Sequence, residues 1–73
     1  MTHDIVVQNC GTVWVLWCGS DEGDAWLDAN IDSRYVEPRY AGAILFGAQE
    51  DGLSIAGHDN ETGEIRPLVV QAN

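Results

Sequence analysis

The chain has 73 residues and carries 12 Asp and Glu against 3 Lys and Arg, which gives a formal net charge of −9 at pH 7. Direct binding to nucleic acid or to an anionic membrane requires a basic patch, and three scattered arginines do not provide one. Disordered acidic tails contain few aromatic residues, so 45% hydrophobic residues with three Trp predict a folded protein instead.

The length allows a single domain over residues 1–73, because chains this short bury only about 60% of the surface that their unfolded form exposes. No segment offers the ~20 consecutive apolar residues of a membrane span. The first residues lack the basic start and apolar run of a signal peptide. We therefore expect a cytoplasmic protein.

Residues 5–18 predict a β-hairpin, since two runs of β-branched and aromatic residues flank the turn-forming segment Asn9-Cys10-Gly11-Thr12. Gly11 supplies the positive φ that a tight turn requires. This arrangement separates Cys10 from Cys18 by roughly 20 Å at ~3.3 Å per residue. We expect two free thiols rather than a disulfide.

The second strand of this hairpin is apolar on both faces. Its two rows are Val13, Val15 and Trp17 on one face and Trp14, Leu16 and Cys18 on the other. Helices on one side of the sheet would cover one row only. The other row is either buried by a further layer or forms an interface with a second copy or a partner. We take Trp14 and Leu16 as partner-binding candidates, and either row as a candidate dimer interface.

Ser20 predicts the start of a helix that runs to about Ile31, because Ser is a favoured N-cap and the carboxylates that follow it favour the positive end of the helix dipole. Gly23 weakens this helix by up to about 1 kcal/mol. At about 100° per residue, four Asp residues fall on one side of it, opposite Trp26 and Leu27. This acidic stripe consists of Asp21, Asp24, Asp28 and Asp32, with Glu22 at its flank.

A short extended segment over residues 34–37 precedes Pro38, which is suited to the first turn of a second helix. The apolar pattern of that helix is Tyr40, Ala43, Ile44, Gly47 and Ala48, and Gly52 ends it after Asp51. Residues 53–56 then predict a strand, residues 57–63 a polar loop and residues 64–71 a last strand. Because Pro67 cannot donate a hydrogen bond to a neighbouring strand, we expect that strand at a sheet edge or with a bulge at Pro67.

These elements predict an α+β fold of the order β-β-α-(β)-α-β-β, with two helices on one face of a small, mainly antiparallel sheet.

No motif for catalysis or cofactor binding is present. A zinc site would need His3, Cys10, Cys18 and His58 together, although the two cysteines are expected at opposite ends of the hairpin. Ser20 or Ser54 could form a hydrolase arrangement with His58 and Asp59, and a cysteine thiol could act as a nucleophile with His58. The sequence contains no motif that would position either set of residues. We expect no catalytic residues, no metal, no cofactor and no enzyme activity.

The acidic stripe is the feature that stands out. Carboxylates spaced ~5–6 Å apart along a helix can imitate a row of phosphates, and such a surface is attracted to a groove lined with Arg and Lys. The alternative is a solvated helix face that keeps a small protein soluble. We weigh these two interpretations equally.

The segments 25–31 and 36–55, with Glu37-Pro38-Arg39-Tyr40 and Glu50-Asp51-Gly52-Leu53, resemble small acidic uncharacterised proteins encoded by phages and other mobile elements. Small acidic proteins without an enzyme motif also resemble anti-CRISPR inhibitors as a type. That resemblance implies a stoichiometric inhibitor that binds a CRISPR effector in the host cytoplasm and blocks its nucleic-acid groove or a subunit docking surface.

We therefore expect a protein-binding inhibitor of a host defence nuclease complex, acting through the acidic stripe. The first alternative is a homodimeric structural or adaptor protein. The second is an antitoxin-like regulator of another basic partner, which would use the same acidic surface.

Overall fold

The computed structural model describes residues 3–70, which form seven elements. They are β1 (Ile5–Asn9), β2 (Trp14–Cys18), α1 (Asp21–Asn30), β3 (Tyr35–Val36), α2 (Pro38–Glu50), β4 (Ile55–His58) and β5 (Ile65–Leu68). The strands form one sheet in the order β3-β2-β1-β4-β5, in which only β1 and β4 run parallel. The predicted α+β class is confirmed. Over residues 3–70, neither helix is long and apolar enough to cross a membrane.

The hairpin forms as predicted, because its turn is stabilised by local bonds. Gly11 has φ 89°, and its amide donates a hydrogen bond of 2.9 Å to the Asn9 side-chain oxygen. The strand register pairs Asn9 with Trp14 at the turn and Ile5 with Cys18 at the other end. Cys10 and Cys18 are therefore at opposite ends of the hairpin, and both are free and exposed.

The helix boundaries also follow from local signals. The Ser20 hydroxyl caps α1 by accepting a 3.0 Å hydrogen bond from the Gly23 amide, and the helix ends before Ile31. Asp32 consequently lies outside the helix, so the helical part of the acidic stripe is shorter than predicted. In α2, Pro38 is the first residue, and Gly52, with φ 94°, follows the C-cap Asp51.

The buried face of α2 differs from the predicted one. Ala41, Leu45 and Ala48 are buried, whereas Tyr40 and Ala43 are exposed. Small residues lie on several sides of α2, so their spacing alone did not identify the buried face. Leu45 has the largest side chain among the three buried residues, and the small alanines one turn away on either side let the helix approach the sheet closely.

The last two strands are displaced from their predicted positions. Gly57 and His58, expected in a loop, belong to β4 because this strand pairs in parallel with residues 5–8 of β1. β5 lies at the sheet edge, as Pro67 predicted. The predicted strand also included Gln71, which is outside the described residues.

The hydrophobic core lies on one face of the sheet, which we call the covered face. It joins strand residues to buried side chains of both helices: Ile5, Val7, Leu16, Leu27, Leu45, Ala48 and Ile55. Residues of β1, β2 and β4 that point the other way take no part in this cluster. The opposite face of the sheet is therefore left without a helix layer within residues 3–70.

Candidate functional site

The uncovered side of the sheet, which we call the open face, carries apolar side chains. Strand register aligns one row across all five strands and a second row across four of them. The first row is Tyr35, Val15, Gln8, His58 and Ile65, and the second is Trp17, Val6, Ala56 and Pro67. Neither row contains a carboxylate or an arginine. The exposed fractions of Tyr35, Trp17 and Ile65 are 65%, 54% and 52%.

A chain of hydrogen bonds orients the polar groups of the open face. The Trp17 indole donates to the Gln8 side-chain oxygen at 3.0 Å, and the Gln8 amide donates to the Asn60 oxygen at 3.1 Å. The same Asn60 oxygen lies 3.2 Å from His58 Nδ1, and the Asn60 amide donates to the Asn9 carbonyl. The Trp17 ring is thereby held by a polar bond at one edge while most of its surface is exposed to solvent.

Trp17 is in the lining of two grooves. One groove, of about 420 Å³, has Val6 and Ile65 in its apolar lining and His58 on its polar side. The other, of about 350 Å³, is lined by Leu16 of the covered face and Asp24 of α1 as well as by Trp17, Arg34 and Tyr35, so it is not confined to the open face. The first groove therefore belongs to the open face, and the second extends toward α1.

The row of β2 proposed for partner binding from the sequence lies on the covered face. Leu16 is only 1% exposed, and Trp14 packs against the core. Leu16 pairs with Val7 and Trp14 pairs with Val36, so both point toward the helices. Val15 and Trp17 form the outward row of β2, while Val13 precedes the strand.

The acidic stripe is exposed but partly neutralised. All its members and the flanking Glu22 are accessible to solvent. One nitrogen of Arg34, Nη2, lies 2.9 Å from an Asp24 oxygen and 2.8 Å from an Asp28 oxygen. The structure therefore pairs the centre of the stripe with a cation of the same chain, and leaves Asp21, Glu22 and Asp32 outside that cluster.

The other two arginines are paired in the same way. Arg39 contacts Glu37 at 3.0 Å, and Arg66 contacts Glu64 at 3.2 Å. Every arginine of the chain thus contacts a carboxylate of the same chain. All 12 side-chain carboxylates lie within residues 3–70; four of them take part in these contacts, and in this part of the chain the other eight have no arginine partner.

Asp4, which the sequence analysis missed, joins α1 to the sheet. The Ser20 hydroxyl donates to one Asp4 carboxylate oxygen at 2.6 Å, and the Ser54 amide donates to the other at 2.8 Å. The bond from Ser20, and next those from Ser54, hold the Asp4 pKa below its ordinary value of 3.8. Asp4 therefore supports the N-cap of the helix that carries the acidic stripe, and no local sequence signal links it to Ser54, 50 residues away.

Asp59 stabilises the turn that positions Asn60. The backbone amides of Glu61 and Thr62 hydrogen-bond to its carboxylate and keep its pKa below 3.8. This turn therefore positions the Asn60 side chain next to Gln8 and His58.

The residues that the sequence offered for catalysis or metal binding do not lie together in the structure. The hydroxyls of Ser20 and Ser54 both donate to Asp4, not to His58. Among residues 3–70 there is no group of three or more His, Cys, Asp or Glu placed to hold a metal ion. The exposed surfaces, rather than an enclosed polar pocket, are the candidate functional site in this part of the chain.

Comparisons with family models, with curated protein sequences and with solved structures find no match to this chain.

Proposed function

We propose that the chain is a non-catalytic binding protein that docks on a basic protein surface through its acidic stripe. In its most specific form, the proposal is an inhibitor of a host defence nuclease complex, similar in type to anti-CRISPR proteins. Such an inhibitor would occupy a groove that normally holds nucleic acid.

The distribution of charge is the observation that carries this proposal. The three arginines contact carboxylates of their own chain, and eight side-chain carboxylates between residues 3 and 70 have no arginine partner there. The long-range field is therefore negative. A field of this sign accelerates association with a basic groove and disfavours contact with acidic partners.

The structure alters which members of the stripe carry the proposal. Asp21 and Glu22, in the first turn of α1, are exposed and have no arginine partner. Asp24 and Asp28 contact Arg34, although 53% and 70% of their side-chain surfaces remain exposed. A partner would reach Asp21 and Glu22 directly, and would share or displace Arg34 at the other two.

The proposal is tested with a pair of variants that change net charge equally. Asp21→Asn/Glu22→Gln and Glu50→Gln/Glu61→Gln each raise the net charge from −9 to about −7 at exposed positions. The first pair removes charge from α1 and the second from distant surfaces. Tagged wild-type and variant proteins would be used to recover partners from a host lysate at low and at high salt.

We expect wild type and Glu50→Gln/Glu61→Gln to recover a nucleic-acid-handling complex that elutes at high salt, because exposed charge pairs are screened. Asp21→Asn/Glu22→Gln should recover about tenfold less of it, while a thermal melt establishes that the variant is folded. Equal recovery by the two variants would contradict a role for α1. Recovery of no basic partner would contradict the proposed function.

A further inference from the structure

We infer that the two outer strands of the sheet, β3 and β5, are closed to the addition of a further strand, and that Pro67 closes β5. A strand at the edge of a sheet ordinarily presents a row of N–H and C=O groups to which another chain can bond. The inference concerns the backbone at the sheet edges. It does not depend on the proposed function, which rests on side chains of α1.

β5 and the residue after it carry exposed apolar side chains at the sheet edge. The exposed fractions of Ile65, Leu68 and Val69 are 52%, 39% and 74%. Apolar edge strands are sites at which protein chains pair with one another. Without a feature that prevents pairing, we would expect β5 to join a strand of another chain.

The hydrogen-bond pattern identifies the backbone groups of β5 that point away from the sheet. The Asp59 amide donates to the Glu64 carbonyl at 2.8 Å, so these residues form a hydrogen-bonded pair next to the strand ends. In an antiparallel ladder, such pairs alternate with pairs whose members do not bond to each other. Arg66 therefore bonds to β4, whereas its neighbours Ile65 and Pro67 direct their backbone groups outward.

Pro67 removes an outward donor from this edge. Proline has no N–H group, and its ring occupies the place from which an amide would donate. Within β5, Ile65 is consequently the single residue with an outward N–H. A regular ladder uses the N–H and C=O groups of every second residue, so an added strand could not continue past Ile65.

The segment that follows β5 is bonded to α2. The Gln49 side chain accepts a 2.9 Å hydrogen bond from the Val70 amide and donates a 2.8 Å bond to the Val70 carbonyl. Both backbone groups of Val70 are thereby bonded within the chain. The edge available for pairing is therefore the four residues of β5, with Pro67 among them.

β3, at the other edge, is closed by bonds of its own chain. The Leu16 amide donates to the Arg34 carbonyl at 2.8 Å, so by the same alternation Tyr35 directs its N–H outward. That N–H donates to the Ser33 hydroxyl at 3.1 Å. The next outward carbonyl, that of Glu37, accepts bonds from two amides of α2. An added strand would have to displace these bonds.

Closed edges restrict how the chain binds a partner. A partner would contact side chains on a helix or on a face of the sheet, and would not add a strand to the sheet. Copies of the chain would likewise stay separate at both edges, even when high salt screens the net charge of −9 that each copy carries.

The test restores the missing donor with Pro67→Thr in the full chain. Pro38→Thr is the matched control, because it makes the same change at the first residue of α2, outside the sheet. Pro67→Ala restores the same N–H without a β-branched side chain, so it separates the effect of the donor from that of the side chain.

Hydrogen exchange of the Ile65 amide is measured by NMR at high salt, from micromolar to millimolar protein. Sedimentation of the same samples gives the mass of the species, and circular dichroism establishes that each variant is folded.

We expect the Ile65 amide of Pro67→Thr to exchange at least about tenfold more slowly as the protein concentration rises, because a strand of a second copy bonds to it. Pro67→Ala should change in the same direction. Wild type and Pro38→Thr should show no dependence on concentration. At the other edge, Ser33→Ala should accelerate exchange of the Tyr35 amide several-fold, because that amide loses its acceptor.

Equal exchange of the Ile65 amide in Pro67→Thr and Pro38→Thr at every concentration would overturn the inference. Slowing of this exchange with concentration in wild type would also overturn it, because it would show that β5 already accepts a strand. Neither result changes the recovery of a basic partner through Asp21 and Glu22, so the two proposals fail separately.

Discussion

The two faces of the sheet differ although they are built from the same strands. Leu16, on the covered face, is 1% exposed, whereas the next residue, Trp17, is 54% exposed on the open face. Successive side chains of a strand point to opposite faces, so one step along β2 changes a core position into a surface position. Both faces are apolar, but two helices pack on only one of them.

This difference predicts which substitutions affect the stability of the fold. Substitutions of covered-face core residues act on the helix–sheet contacts that hold the fold together, whereas a substitution at an exposed open-face position such as Trp17 leaves those contacts in place. For a chain of this length, the free energy of unfolding is roughly 4–11 kcal/mol, so the loss of one core contact can be a large fraction of the total. Substitutions on the two faces should therefore differ in their effect on the free energy of unfolding.

Neighbouring residues of β2 provide the strongest test. Leu16→Ala should lower the free energy of unfolding by about 2–5 kcal/mol, because it opens a cavity in the core. Trp17→Ser should lower it by less than about 1 kcal/mol, because most of that ring is already in water. Urea unfolding monitored by circular dichroism measures both. Similar losses for the two variants would contradict the assignment of the faces.

Two helical glycines test how α1 and α2 are held. A Cβ at Gly23 would overlap the Asp4 carbonyl oxygen, whereas a Cβ at Gly42 meets nothing within 4 Å. Gly23→Ala should lower the free energy of unfolding by about 1–3 kcal/mol through this overlap, despite the better helix propensity of Ala. Gly42→Ala should raise it by about 0.4–1 kcal/mol. Thermal unfolding of the two variants should therefore shift in opposite directions, and a stabilised Gly23→Ala would show that α1 can move away from Asp4.

The contact of Asp4 with Ser20 and Ser54 is the third test. Asp4→Asn should lower the free energy of unfolding by about 1 kcal/mol at pH 7, because it removes charge-assisted hydrogen bonds at the start of α1. The folded pKa of Asp4 is below 3.8, so this stabilisation is present above that value and is lost as the pH falls through the folded pKa.

Unfolding curves from pH 7 to pH 2 measure this dependence. The free energies of unfolding of wild type and Asp4→Asn should differ at pH 7 and become similar as the pH falls to 2. Asp59, whose pKa is lowered by the Glu61 and Thr62 amides, contributes with the same sign in both proteins and cancels from the difference. A constant difference across the pH range would mean that the Asp4 charge does not contribute.

Local features of the fold were predictable from the sequence. The Gly11 turn, the Ser20 cap and the position of Gly52 after α2 all depend on residues within a few positions of each other. The row of β2 that faces the helices was not predictable in this way. Both rows of that strand are apolar, so alternation defines two faces without indicating which one the helices cover.

The candidate site was predictable only in part. Composition identified the negative charge, and helix spacing placed Asp21, Asp24 and Asp28 on an exposed side of α1. Spacing could not reveal that Arg34 contacts two of these carboxylates, because that contact depends on how the chain folds back after the helix. The hydrogen bonds that link Trp17 to Asn60 through Gln8 were likewise not predictable, since these residues come from three separate segments.

Composition and local spacing were enough to predict the fold class, the hairpin turn, both helix starts and the sign of the molecular charge, because each depends on residues close together in the chain or on their total number. The folded chain was needed to show that Trp17 rather than Leu16 is exposed, that β4 pairs in parallel with β1, and that Asp4 supports the cap of α1. Each of these depends on contacts between residues far apart in the chain, which no local pattern records.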